Sequence, residues 1–143
     1  MSSILTEDIE TIFLNTKKIA KSLENKTILI TGGNGFLGKY FVELFKKYNK
    51  FSNKKIKILV YDNNLKNNYN EPSNNIKFIK HDVSNKIITR RKIDIIIHAA
   101  GIASPYYYRK KPIETLDVAI NGTRNCLEIA KRYNSKFIFF SSS

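Results

Sequence analysis

The run Thr27-Ile28-Leu29-Ile30-Thr31-Gly32-Gly33-Asn34-Gly35-Phe36-Leu37-Gly38 passes from an apolar, β-rich segment into a glycine-rich turn, and a helical pattern begins at once. Gly32 and Gly33 can turn the chain where a side chain would clash. Gly35 lets backbone N–H groups approach a bound group closely, and Gly38 lets the new helix pack against the strand. The first turn of such a helix carries unpaired N–H groups and a partial positive charge, which suit an anion such as a diphosphate.

Working outward, a second β-rich run, Lys55-Ile56-Lys57-Ile58-Leu59-Val60-Tyr61, ends at Asp62, 24 residues after Gly38. A carboxylate at the end of a second strand can accept both hydroxyl hydrogens of an adenosine ribose. Strand, glycine turn, helix, strand and acid stand in the order and spacing of a dinucleotide-binding unit. Asp62 would repel a 2′-phosphate, and Asn63 and Asn64 offer no positive charge, so NAD rather than NADP is the expected cofactor.

At 143 residues the protein is long enough for one domain that buries about two-thirds of its unfolded surface. The hydrophobic share of 42% fits a packed core. A single cysteine, Cys126, excludes an internal disulfide and reads as a small apolar residue of a helix. No apolar run is long enough to cross a bilayer. Glu7, Asp8 and Glu10 fall where a signal peptide needs apolar residues, so a cytoplasmic protein with no membrane partner is expected. The net charge of +13 is spread along the whole chain among asparagines and isoleucines, without a basic–aromatic stripe, so nucleic acid is not an expected partner.

Residues 1–25 read as an N-terminal helical extension. Its helix, over 4–24, has Ile9, Phe13, Ala20 and Leu23 near one face and acidic residues in the first turn, and serves packing or oligomer contact. Residues 26–143 read as the dinucleotide-binding domain. Strands over 27–31, 55–62, 76–81, 94–100 and 136–140 alternate with helices over 36–48, burying Leu37, Phe41, Leu44 and Tyr48, and over 112–133. Residues 63–75 read as a surface loop. The pattern predicts a doubly wound parallel sheet of the Rossmann type in the order 3-2-1-4-5, ending after strand five. His98 reads as a structural residue at the end of a buried strand, bonded to backbone.

From Thr27 onward the sequence resembles the N-terminal part of the extended short-chain dehydrogenases/reductases, the NAD-dependent nucleotide-sugar epimerases, dehydratases and decarboxylases. The resemblance rests on residues 31–38, Asp62, His81-Asp82-Val83, His98-Ala99-Ala100-Gly101, Gly122-Thr123 with Asn125 and Leu127-Glu128, and Phe137 through Ser143. Ser104-Pro105, followed by tyrosines and Pro112, is most similar to UDP-glucuronate decarboxylases. The resemblance implies that Gly32, Gly35, Phe36, Leu37 and Gly38 cradle the pyrophosphate, and that Asp62 and Asn63 flank the adenosine ribose. It implies that Asp82 and Val83 flank the adenine, the lesser alternative being that Asp82 simply caps a turn. It places Ala99, Ala100 and Gly101 beside the nicotinamide ribose, and the tyrosines in a substrate-side loop. It puts the catalytic hydroxyl at Ser142 on a decarboxylase alignment or Ser143 on a galactose-epimerase alignment. No metal is implied.

Two departures stand out. Ala119 occupies a position where the family usually has Asn. The family's Tyr-x-x-x-Lys pair is missing, because Tyr106 to Lys110 and Tyr107 to Lys111 have the spacing but precede strand five. The chain therefore reads as a fragment or truncated product. The resemblance implies the cofactor part of an NAD-dependent enzyme, homodimeric at full length, that acts on a nucleotide-sugar by transient hydride transfer at the sugar C4. A 4-epimerase, a dehydratase or a non-catalytic NAD-binding module remain the alternatives. Dehydratases carry Asp where this chain has Ser143, and decarboxylases carry Ser there followed by Glu, so Glu is the expected next residue.

Overall fold

A computed structural model describes residues 3–64 and 74–140. The elements run α1 (Ser3–Ser22), β1 (Thr27–Thr31), α2 (Phe36–Phe51), β2 (Lys57–Asp62), β3 (Ile76–Lys80), β4 (Ile95–His98), α3 (Pro105–Lys110), α4 (Pro112–Asp117), α5 (Thr123–Tyr133) and β5 (Lys136–Phe139). Five parallel strands form one sheet in the order β3-β2-β1-β4-β5. This is the predicted doubly wound fold, preceded by the extra helix.

Successive strand residues point to opposite faces, and the core divides accordingly. Ile28, Ile30, Ile58, Val60 and Ile97 pack with Val42, Phe45 and Tyr48 of α2 and Phe13 of α1. Leu29, Leu59, Tyr61 and Ile96 pack on the other face with Cys126, Ile129 and Ala130 of α5 and with Val83. Near-continuous apolar strands are required because both faces are covered. Burial of Cys126 pushes its thiol pKa up to about 12, so it is a protonated core residue.

Four local expectations change. The first turn of α1 holds no acid. The acids sit further along, and two of them reach α2: the Tyr40 hydroxyl donates to Asp8 at 2.6 Å, and Glu10 pairs with Lys47. Leu37 is 41% exposed rather than buried, because α2 turns Gly38, Val42, Phe45, Tyr48 and Asn49 inward. The tyrosine run is not a loop: Pro105 at the first position starts the short helix α3, which holds Tyr106, Tyr107 and Tyr108. The helix expected over 112–133 is interrupted by a π turn at Val118–Gly122. There Gly122 lies against Val83, where a Cβ would meet Cγ1 at 2.9 Å.

Among the described residues β5 is an edge strand, and Ile138 and Phe139 in it and Phe140 after it are exposed. The serines at 141–143 lie outside the described residues, as does most of the loop expected over 63–75. Among the described residues no helix is long and apolar enough to cross a membrane.

Candidate functional site

In an order of β3-β2-β1-β4-β5 the chain leaves β1 towards β2 and later returns to β4 on its other side. The crevice at the carboxyl ends of β1 and β4 is where open α/β sheets bind ligands. Asp62 ends β2, and the glycine turn, the 82–85 segment and residues 99–101 follow the carboxyl ends of β1, β3 and β4.

Gly32 has φ +71°, a left-handed conformation, and its Cβ would lie 2.7 Å from the backbone of Ala100. At Gly33 a Cβ would meet Val60 Cγ1 at 2.1 Å, and at Gly38 the Gly32 carbonyl oxygen at 2.1 Å. The fold itself forbids side chains at these three positions. Gly35 differs. It is the exposed N-cap of α2 in extended backbone (φ −68°, ψ 174°), and its Cβ would meet one atom, the Gly32 oxygen, at 3.1 Å. Among the described residues no side chain caps this helix, and Phe36 beside it is 76% exposed. The first N–H groups of α2 therefore open outward across a surface without a Cβ, which fits a diphosphate.

Asp62 ends β2 and is nearly buried. Its Oδ2 accepts the Asn34 backbone N–H at 2.8 Å, and Oδ1 accepts that of Asn64 at 2.9 Å. The acid thus pins the glycine turn to β2. Each carboxylate oxygen keeps a further lone pair for an outside donor. Asn63 is exposed beside it.

Asp82 caps its own turn: Oδ1 accepts both the N–H and the hydroxyl of Ser84, at 2.9 and 2.7 Å. Both bonds use Oδ1, so Oδ2 can still receive an outside donor. Val83 is buried beneath the turn. Asn125 of α5 shares its amide hydrogens among the carbonyls of Val83, Ser84 and Asn85 at 2.9–3.1 Å. This clamp was not assigned a role from sequence, although Asn125 stands in the motif after Gly122-Thr123.

Ala99 and Ala100 are half-buried and Gly101 is exposed, with nothing within 4 Å of a Cβ there. His98 before them is 1% exposed. It is bonded to side chains, not to backbone as expected: Nδ1 to Thr31 Oγ1 at 2.6 Å and Nε2 to Thr123 Oγ1 at 3.2 Å. Among the described residues no cluster of His, Cys, Asp or Glu could hold a metal ion.

Burial lowers the His98 pKa from its ordinary 6.5, since the charged form loses water. The unfolded chain then binds a proton more readily than the folded one. This residue therefore leaves stability untouched well above pH 6.5 and erodes it as pH falls below that value. Urea midpoints at pH 7.5 and 5 should separate more for the unaltered protein than for His98→Asn. Equal separations would exclude this role.

The sequence model of the NAD dependent epimerase/dehydratase family matches residues 28–143. UDP-glucuronic acid decarboxylase 6 of Arabidopsis thaliana is 33% identical over 126 residues, which is 83% of this chain and 34% of that protein. The chain thus spans about a third of the length of this curated relative. Among solved structures, epimerase Mth375 from Methanothermobacter thermautotrophicus superposes with TM-score 0.72 at 23% identity, over 87% of this chain and 37% of that one. A monomeric L-threonine 3-dehydrogenase of metagenomic origin gives TM-score 0.63 at 34% identity, over 80% of this chain and 36% of that one.

Proposed function

The chain belongs to the NAD dependent epimerase/dehydratase family, and from that premise we propose that it forms the NAD-binding part of a nucleotide-sugar-modifying enzyme resembling UDP-glucuronate decarboxylases. The observation that carries the cofactor reading is Gly35. Three glycines of the turn are demanded by the protein's own atoms, whereas Gly35 meets a single oxygen at 3.1 Å. A ligand close against that backbone accounts for the missing side chain.

In this reading Gly32, Gly35, Phe36, Leu37 and Gly38 cradle the pyrophosphate, which would face the N–H groups of Phe36 and Leu37 at the start of α2, since the Gly32 and Gly35 N–H groups donate to the carbonyls of Tyr61 and Gly32. Asp62 accepts from the adenosine ribose with Asn63 beside it, and Asp82 and Val83 flank the adenine. Ala99, Ala100 and Gly101 line the nicotinamide ribose. NAD, when bound, would supply a reversible acceptor for the hydride of the sugar C4. Ser142 or Ser143 would provide the catalytic hydroxyl. The reading carries with it a homodimer in the cytoplasm.

The reaction is best supported by the decarboxylase relative and by Ser143 standing where dehydratases carry Asp. Ser104-Pro105 and the tyrosines of α3 support it as well. A 4-epimerase is the second reading, supported by the match to a family named for epimerases and dehydratases. The 34% identity to an L-threonine 3-dehydrogenase does not select a dehydrogenase reaction for this chain, because a shared fold does not fix the substrate.

Offered UDP-glucuronate, UDP-glucose and dTDP-glucose side by side, the full-length protein should release carbon dioxide from UDP-glucuronate without net consumption of NAD, read by mass spectrometry. Loss of water from dTDP-glucose with no carbon dioxide from UDP-glucuronate would reject the decarboxylase. Epimerisation of a UDP-hexose would select the second reading and Ser143. Calorimetry should show a clear preference for NAD over NADP, and the reverse preference would overturn the role of Asp62.

A further inference from the structure

A buried polar network outside the glycine turn joins three elements through His98. Thr31, at the end of β1, is fully buried, and so is His98 at the end of β4. Thr123 opens α5. Thr31 Oγ1 contacts His98 Nδ1 at 2.6 Å and receives the Ala100 N–H at 3.4 Å, while His98 Nε2 reaches Thr123 Oγ1 at 3.2 Å.

The chemistry fixes the direction of these bonds. A buried hydroxyl must donate its hydrogen. Of the two partners of Thr31, the Ala100 N–H is itself a donor, so the hydrogen goes to Nδ1. The imidazole is then the neutral tautomer with its proton on Nε2, which donates to Thr123. Cys126 Sγ, 3.7 Å from Nδ1, holds a protonated thiol and leaves this assignment unchanged. Phe137 and Phe139 stack along the ring and shield it, with centroids at 6.2 and 5.5 Å.

The network ties together two surfaces that a dinucleotide would touch separately. On one side, Thr31 precedes Gly32, whose missing Cβ lets it sit on the backbone of Ala99 and Ala100. The Ala99 N–H also donates to the Thr31 carbonyl at 3.1 Å. On the other side, Thr123 begins the helix whose Asn125 holds the 83–85 carbonyls. A shift of His98 would move residues 99–101 against the glycine turn while leaving α2 and Asp62 in place.

We propose that His98, acting through Thr31 and Thr123, is a positioning residue that sets residues 99–101 relative to the glycine turn and so governs the grip on the nicotinamide half of the dinucleotide. This rests on the NAD reading above. His98 touches no ligand in this account. It fixes the spacing between the segment that would carry the pyrophosphate and the segment that would carry the nicotinamide ribose.

The test separates the two halves of the ligand. Calorimetry on the full-length protein compares NAD with ADP, which lacks the nicotinamide ribose. Thr123→Val removes the acceptor for Nε2 with little change of shape. It should weaken NAD about tenfold, the order expected for one lost hydrogen bond, while changing ADP less than about twofold. Thr123→Ser keeps the hydroxyl and should restore NAD binding. His98→Asn, whose amide oxygen can still accept from Thr31 but whose reach to Thr123 is lost, should behave like Thr123→Val.

Thermal unfolding of each variant identifies any that fails to fold, and the Thr123 pair carries the test if His98→Asn does so. A parallel loss of NAD and ADP, or no loss in a folded Thr123→Val, overturns the positioning role while the NAD reading stands. Failure of the unaltered protein to bind either ligand overturns the NAD reading and this proposal with it.

Discussion

Gly38→Ala should abolish cofactor binding and cost at least about 3 kcal/mol of stability, the upper range for a single substitution. The added Cβ would lie 2.1 Å from the Gly32 carbonyl oxygen, 2.6 Å from Gly33 Cα and 2.8 Å from the Gly32 carbonyl carbon. All three are backbone atoms of the same turn, so no side chain can swing aside. Either α2 retreats from β1 or the turn opens, and both displace the N–H groups at the helix start. The other glycines grade the effect. Gly32→Ala meets the Ala100 backbone at 2.7 Å with φ at +71° and should also be severe. Gly35→Ala needs a shift of only a few tenths of an ångström against one oxygen, so it should lose NAD affinity far more than stability. Gly101→Ala meets nothing within 4 Å and should leave stability unchanged. Urea unfolding and calorimetry of the four variants give the comparison. A Gly38→Ala protein as stable as Gly101→Ala would show that the turn is not packed as described. Gly35→Ala binding NAD normally would remove the main support for a diphosphate there.

What the sequence made legible was what its own neighbours determine. The β1–turn–α2 unit needs only an apolar run, glycines and a helical period, all within residues 27–51. Asp62 is readable because it ends the next strand. The two-sided sheet follows from strands that are apolar at nearly every position. What stayed hidden depends on partners far away in the chain. His98 finds Thr31 and Thr123, 67 and 25 residues distant, and no periodicity marks such a pairing. Asn125 clamps carbonyls 40–42 residues before it. The π turn at Val118–Gly122 brings Gly122 against Val83, a partner far back in the chain, whereas the segment alone reads as an unbroken helix. Leu37 was misplaced for a related reason. The close contact of Gly38 with the turn rotates α2, and the apolar residue beside it is left facing out.

Asp62→Ala should weaken NAD binding and loosen the protein at the same time, because in the proposed reading the carboxylate has two separable tasks. The first is internal. With the side chain gone, the Asn34 and Asn64 N–H groups lose acceptors at 2.8 and 2.9 Å. Leaving a part-buried donor unpaired costs about 1–3 kcal/mol, which for a domain of this size lowers the melting temperature by several degrees even without ligand. The second task is external. A ribose that donates to Asp62 loses a charged acceptor, worth about 1.5–3 kcal/mol of affinity. The same change removes the negative charge that disfavours a 2′-phosphate, so NAD should weaken while NADP changes little, and the preference between them should narrow. Asp62→Asn divides the tasks. Its single amide oxygen can keep one backbone bond, but the NH2 group faces the other N–H, donor against donor. It should recover part of the stability and little of the discrimination. Melting curves without ligand, followed by titrations with both cofactors, read each task separately. A lower melting temperature with an unchanged NAD-to-NADP ratio would confine Asp62 to holding the turn and move the ribose elsewhere. An unchanged melting temperature would show that the Asn34 and Asn64 contacts contribute nothing measurable.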